Sequence, residues 1–497
     1  MVASNSIREA LKSGRFSYFV ELVASAKTTE EKLQEMAGEL AQVPGLIAAG
    51  VTSYAGGSAG HDPIRIAELV KERGLTPNVH LTCVNHTRQE LIDSLLKLNG
   101  MGVENVFAIS GDYPLKTGDV QPKADYDVDS VQLVELINEM RQQGLPFQIS
   151  VAVSPFKYTE ADCVYQYLKL EKKIAAGADF AITQLGYDVK KFRELKRYLD
   201  ERGIKTPVFG NVYVLAAGAA KKFAKAEPPG CWVSPELLEI VTEEAKAADK
   251  GLAARLERAA KTVAVLRGLG FAGAYIGGTH SAEYIRTIIQ RSEEIAGNWE
   301  EYAEEITYGK KGGFYFFESP RAKSSYPLPL KVLDGLAAMF PIKHQHGLVR
   351  SALAGIMGAI DKSHGAAHAL ERFEFAFKGP AFGCQSCGNC VLGDMEYVCP
   401  MTCPKSMRNG PCGGTDNGQC EVFPDRPCIW VKVYDHAKAS NQVESLKVYI
   451  PPRNRALQGT SSWINLLLER DYRPDHLPPL IQITLAPAPS AAPVETK

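Results

Sequence analysis

The 497-residue sequence has no run of roughly 18 uninterrupted apolar residues, the length a helix needs to cross a bilayer, so no membrane span is expected. Neither sign of charge is in excess. The 56 Lys and Arg stand against 57 Asp and Glu, a net charge of −1, which points to neither nucleic acid nor an anionic lipid surface. The opening residues, MVASNSIREALKSGRF, carry no apolar stretch behind their charges, so no secretory leader is expected and the chain reads as cytoplasmic. Cysteine is scarce before residue 384, where only Cys83, Cys163 and Cys231 occur, and these read as inert buried thiols. In a reducing compartment such a distribution argues against structural disulfides. At 45% hydrophobic and 23% charged, the composition is that of a soluble globular protein long enough for two or three domains.

Cysteine then becomes abundant. Eight of the eleven fall between residues 384 and 428: Cys384, Cys387, Cys390, Cys399, Cys403, Cys412, Cys420 and Cys428. Each short Cys-x-x-Cys turn points two sulfurs the same way, so the segment reads as a metal or cluster module. Two zinc sites of four thiolates each would account for all eight and would fold a small domain. The triple Cys384-x2-Cys387-x2-Cys390 instead suits one face of a [4Fe–4S] cubane, with one or two clusters in the module. A nucleic-acid-binding ribbon has only the scattered Lys405, Arg408 and Arg426 to recommend it, and no nucleic acid partner is expected.

From residue 15 to about 295, short β-rich runs alternate with helix-period stretches. The runs FSYFVELVA, GLIAAGVTS, NVHLTCV, ENVFAIS, FQISVAV, DFAITQ, PVFGNV and FAGAYIGG number eight, with Gly45, Pro77, Gly177 and Pro207 at junctions. Strands alternating with helices imply parallel pairing, and eight such units predict a (β/α)8 TIM barrel over residues 1–295. A linker and helical segment is expected over 296–380, and a small Cys-rich metal-binding domain with a C-terminal helix over 381–480. The Pro/Ala-rich tail, 481–497, is expected to be disordered. Chemistry in such a barrel sits where strands end at the C-terminal face. Those ends carry Glu21, Thr52, His80 with Thr82, Asp112, Ser154, Gln184, Asn211 and His280. Asp112 follows Gly111, whose missing side chain lets a flat ligand approach.

These residues carry a resemblance. Phe-Val-Glu21-Leu, Val-Thr52-Ser, His80-Leu-Thr82-Cys and Ala-Ile-Ser-Gly111-Asp112 resemble methylenetetrahydrofolate reductases, as do Gly177-Ala-Asp-Phe-Ala-Ile-Thr-Gln184 and Ala220-Lys-Lys-Phe223. Cys399-Pro, Cys403-Pro and Cys412-Gly-Gly are similar to the iron–sulfur or zinc subunit that accompanies this reductase in acetogens, here fused to the barrel. The resemblance implies a flavin, FAD or FMN, in the barrel mouth that reduces 5,10-methylenetetrahydrofolate to 5-methyltetrahydrofolate. It implies Glu21 as the acid at folate N10 and Asp112 beside flavin and pterin. Gln184 and Phe223 would contact substrate. Thr52, His80, Thr82, Gly111, Lys169, Lys172 and Lys173 would hold flavin, the last two at its phosphate. The electron donor would be NAD(P)H or a reduced carrier protein, with the Cys-rich domain relaying electrons or docking the donor, and an oligomer is expected. Ser110 stands where the family carries a basic residue, Lys169 where some members have Asn, and the last strand ends Gly-Gly-Thr-His280. FAD and FMN therefore both stay open.

Other readings stand beside these. A non-catalytic electron-transfer subunit or a flavin-free folate methyltransferase would use the same scaffold. Glu21 could be a satisfied structural carboxylate and His80 a structural imidazole. Lys172 and Lys173 could be a solvated pair favouring a helix C-terminus. Gly277 and Gly278 could be a bare packing requirement.

Overall fold

The computed structural model describes residues 5–25, 27–53, 61–114, 123–339 and 348–471. The expected tail, 481–497, lies outside the described residues. Eight parallel strands close into a barrel in sequence order: β1 Ser17–Leu22, β2 Leu46–Val51, β3 Thr76–Thr82, β4 Asn105–Ile109, β5 Gln148–Val153, β6 Phe180–Thr183, β7 Val208–Tyr213 and β8 Gly273–Gly277. All eight apolar runs became strands, and β8 pairs with β1 through Val20 and Ile276.

Alternation along the strands separates two cores. Phe19, Ala48, Phe107, Phe180, Ile182, Phe209 and Tyr275 fill the barrel interior, and Val20, Val51, Val79, Val106 and their neighbours pack under the surrounding helices. Helix α1 (Ser6–Ser13) plugs the bottom. Its Ile7 joins the interior cluster, and Asn5, its N-cap, donates from Nδ2 to Asn105 Oδ1 at 2.9 Å. With this end filled, the C-terminal ends of the strands are left for chemistry.

The long region after β7, which Pro228 and Pro229 interrupt, divides into helices Ala217–Phe223, Pro235–Glu244 and Leu252–Gly268. The segment after the barrel is not a free linker. Phe314 N donates to Tyr158 O at 2.9 Å, and Phe314 O accepts from the buried Lys191 Nζ at 2.8 Å, strapping it to the barrel flank. Helices Leu328–Met339, Leu348–Asp361 and His364–Phe382 lead to the cysteines.

Helix His364–Phe382 is inside out. Its buried side chains are Glu371, Glu374 and Lys378, whereas Phe373, Phe375 and Phe377 are exposed. Charge is tolerated inside because it is paired. Glu374 Oε1 accepts from Lys378 Nζ at 2.6 Å, and its Oε2 accepts from Ser461 Oγ at 2.8 Å.

The cysteine module packs directly on the barrel. Val391, Met395, Val398, Met407, Trp430, Val433 and Tyr434 belong to the same buried apolar cluster as the outer faces of the strands. Trp430 meets Tyr165 edge-on with ring centroids 5.4 Å apart. Asp129, the N-cap of helix Ser130–Gln142, anchors the module through one oxygen, accepting from Arg408 N, Asn409 N and Asn409 Nδ2 at 3.0, 2.9 and 3.1 Å.

Candidate functional site at the barrel mouth

Glu21 is the inward residue nearest the top of β1, one step past Val20 in the β1–β8 pairing. It is half-buried, reachable from the mouth, and burial raises its carboxyl from 4.5 to about 7. Its space comes from β8. A Cβ on Gly277 would lie 2.8 Å from Glu21 Oε2, so any side chain there would displace the carboxyl. Gly277 is therefore more than a rim packing residue.

Below Glu21, Gly50 plays a similar part. Its missing side chain is filled by the Tyr275 ring, whose hydroxyl lies 3.2 Å from His80 Nε2. Burial lowers His80 to about 3, so the imidazole is neutral and part of the barrel's polar floor. At the rim, His280 Nε2 accepts from Val23 N at 3.1 Å, which requires that nitrogen to be unprotonated. Its imidazole clips the end of β1 to the turn after β8.

Asp112 stands across the mouth, beyond β4, after Gly111 at φ +80°. Asp112 is open to solvent on one side, yet the protein around it raises its carboxyl through desolvation, with Lys405 acting in the opposite sense. Thr52 Oγ1 donates to Leu22 O at 3.3 Å, and Thr82 is buried. Gln184 Oε1 accepts from Leu185 N at 2.8 Å. Asn211 N donates to Thr183 Oγ1 at 2.9 Å, and the side-chain Oδ1 of Asn211 is buried without a hydrogen bond.

Four more of the expected site residues are buried. Phe223 is 6% exposed and packs edge-on against Tyr213 with ring centroids 5.2 Å apart. Lys169 donates to Gly410 O and Pro411 O at 3.2 and 2.8 Å, so its charge holds the cysteine module. Lys172 and Lys173 are not a solvated pair. Both are buried, and desolvation lowers each to about 7. Lys173 Nζ donates to Ala152 O at 2.7 Å, whereas Lys172 Nζ has no hydrogen bond.

The eight clustered thiols sort into two neighbourhoods. Cys384, Cys387, Cys390 and Cys399 line one small pocket together with Lys378 and Arg408. Lys378 Nζ donates to Cys390 Sγ at 3.6 Å. Cys403, Cys412, Cys420 and Cys428 lie within electrostatic reach of one another nearer the barrel. Burial pushes the Cys403 thiol up to about 11 and the Cys399 and Cys428 thiols to about 12. Among the described residues, no three His, Cys, Asp or Glu side chains converge closely enough to hold a single metal ion. Cys83, Cys163 and Cys231 are buried apart from both groups, and burial pushes Cys163 and Cys231 to about 12, in keeping with inert thiols.

Sequence reasoning missed Lys157, Lys405 and Glu421. Lys157 donates to Thr415 O from the end of β5, and Lys405 pairs with Glu421 beside Gly111. The two lysines couple segments more than 250 residues apart, and no local motif marks such partners.

A closed (β/α)8 barrel with a half-buried acid, a neutral histidine and a second carboxylate at the C-terminal ends of its strands is a ligand-binding barrel of enzymatic type. The methylenetetrahydrofolate reductase family model matches residues 6–264, and that named for the methylene-tetrahydrofolate reductase C terminal matches 365–456. The chain belongs to the methylenetetrahydrofolate reductase family. It is 34% identical over 158 residues to the 5,10-methylenetetrahydrofolate reductase of Salmonella typhimurium, covering 31% of this chain and 50% of that one. It is 32% identical over 162 residues to the Escherichia coli enzyme of the same name, covering 32% and 51%. A probable methylenetetrahydrofolate reductase (NADH) of Oryza sativa is 28% identical over 232 residues, covering 42% and 36%. The matches span about half the length of these bacterial relatives. No helix among the described residues is long and apolar enough to cross a membrane.

Proposed function

We propose that this chain is a flavin-dependent reductase converting 5,10-methylenetetrahydrofolate to 5-methyltetrahydrofolate, with the cysteine module passing electrons toward the barrel. The observation that carries this is the Glu21 carboxyl. Opening the five-membered ring of the substrate requires a proton at N10, and the acid that gives it must still hold that proton near neutral pH. Glu21, raised to about 7, meets the requirement, and the space kept by Gly277 leaves the carboxyl free to turn toward a ligand.

The residues present fit a flavin. The space of Gly111's missing side chain is taken by Val84 and Thr82 rather than left for a flat ring, so the glycine serves the turn that presents Asp112, and Lys172 offers a buried amine without a hydrogen bond, which a phosphate would satisfy. Thr52, His80 and Thr82, on and just past β2 and β3, would contact the flavin with Lys173 beside β5, while Lys169 supports the module. A flavin held there supplies hydride transfer. Glu21 holds and delivers the proton, Asp112 and Gln184 orient the pterin, and neutral His80 with Tyr275 forms an uncharged floor.

The donor set of the module suits thiolate-held groups by residue type, one in each neighbourhood, and the sulfurs would draw closer together than they stand here to hold them. The spacing Cys384-x2-Cys387-x2-Cys390 supports [4Fe–4S] over zinc in the first, and Lys378 and Arg408 offset thiolate charge there. The donor of electrons would be NAD(P)H or a reduced carrier protein.

The test is anaerobic purification followed by two measurements. Denaturation should release FAD or FMN near stoichiometry, and dithionite-reduced protein should convert methylenetetrahydrofolate to the methyl product. Protein that stays free of flavin after reconstitution, or flavin-loaded protein without folate turnover, defeats the reading.

A further inference from the structure

Lys405 lies in the cysteine module, two residues after Cys403, yet its ammonium works at the barrel mouth. It is 2% exposed and donates to Gly111 O at 3.0 Å. It forms a buried ion pair with Glu421 and stands 5.9 Å from the centre of the Tyr126 ring. Glu421 in turn accepts from the Cys412 thiol at 3.2 Å, and a Cβ on Gly414 would collide with its carboxylate, so the glycine is what lets Glu421 reach inward. Asp112 lies within the electrostatic reach of both members of the pair.

A peptide unit is planar, so fixing one carbonyl fixes the amide on its other side. The Gly111 carbonyl and the Asp112 N–H belong to one such unit. Gly111 sits at φ +80°, a conformation open to glycine but not held by strand pairing, since β4 ends at Ile109. Val84 and Thr82 pack against the glycine and Val84 N donates to Ser110 O at 3.2 Å, and the bond from Lys405 fixes the next carbonyl from outside the barrel. We propose that Lys405 is a positioning residue of the barrel's binding site, holding the Gly111–Asp112 turn from the cysteine module so that ligand binding at the mouth depends on the module's contact. This rests on the reading of the mouth as a flavin and folate site. It adds that the barrel alone does not complete that site.

The experiment compares the full-length wild type with Lys405→Met/Glu421→Gln, which removes both charges of the buried pair together, and with Arg455→Ala. Arg455 binds Asp125 and Asp127 at 2.6–2.8 Å, so its loss loosens a docking contact without touching Gly111. Three quantities are read: metal content, hydrogen exchange of the segment 105–114, and calorimetric affinity for FMN, FAD and 5-methyltetrahydrofolate. The double variant should keep its metal, exchange faster over 105–114, and bind at the mouth about tenfold more weakly, the scale of one charge-assisted hydrogen bond. Arg455→Ala should match wild type in all three. Should the double variant lose metal, Lys405→Gln with Glu421 intact is judged by the same readings. Wild-type affinity in the Lys405 variants, or an equal loss in Arg455→Ala, overturns the inference while leaving the functional reading standing. A wild type that binds neither flavin nor folate defeats both.

Discussion

Gly277 and Glu21 face each other across the seam between β8 and β1, and the glycine's missing Cβ is the space the carboxyl occupies. An acid at this depth needs both burial, to keep its proton, and room, to deliver it.

Gly277→Ala should therefore act on the proton and spare the cofactor. Flavin content should stay at the wild-type level while the folate half-reaction slows by about tenfold or more. Glu21→Gln should slow that half-reaction by on the order of 10²-fold, the usual scale for a general acid. Stopped-flow measurement of each half-reaction checks both variants. Equal losses in flavin reduction and folate reduction would mean that the pair holds the fold rather than the chemistry.

The pH dependence has a definite sign. Glu21 binds its proton more tightly in the folded protein, about 7 against an ordinary 4.5, so the acid form persists to neutrality and the folate half-reaction should fall as pH rises through about 7. The same shift means that the folded state holds more protons than the unfolded one between those values. Stability should accordingly decline as pH rises from 4.5 toward 7 and then level off. Glu21→Gln should flatten both profiles. A half-reaction insensitive to pH across neutrality would remove Glu21 from the acid's role.

Lys172 offers a separate test because its amine is buried without a hydrogen bond. Its value is lowered from 10.5 to about 7, so the full cost of burying the charge is present below 7 and is relieved as pH climbs toward 10.5. Lys172→Met should stabilise the ligand-free protein against urea by about 1–3 kcal/mol near neutrality, and the gain should shrink at high pH. If the amine serves a flavin phosphate, the same variant should bind flavin more weakly. Stabilisation with unchanged flavin affinity would leave Lys172 as a structural residue alone.

Cys387→Ala should empty only the outer neighbourhood. Iron or zinc should drop by about half when both sites hold the same group, with the set of Cys403, Cys412, Cys420 and Cys428 keeping its share. Flavin should remain bound. Visible absorption beyond the flavin's own bands, lost in the variant, identifies iron–sulfur clusters, because zinc is colourless. Retention of all metal would show that the two sets are not independent sites.

The barrel was legible because its signal is periodic and repeated. Each apolar run from FSYFVELVA to FAGAYIGG became one strand, and Glu21, Thr52, His80 and Asp112 stand around the mouth because strand ends converge there. Less legible was anything that depends on a distant partner. Lys169 looked like a cofactor residue by position, but its charge is taken up by two carbonyls at 410 and 411, far along the chain. Phe223 gave no local hint that Tyr213 would claim its ring. The helix from His364 misleads in the opposite direction, since the expectation that phenylalanines face inward fails for Phe373, Phe375 and Phe377. The division of the eight thiols into two sets needed the fold of the loops between them.

Trp430 against Tyr165 is the centre of an apolar contact that runs from the module into the barrel without a break. Two bodies joined by a tether can lose heat-sensitive parts one at a time, but a shared core cannot be peeled without wetting both sides of the seam. On heating, the barrel and the module should therefore melt as one body. Whatever free energy the thiolates gain by closing on their group is then lent to strands that carry no cysteine ligand of their own. Oxidation of those thiols would thus be felt first as fragility in a barrel whose own residues were chemically untouched.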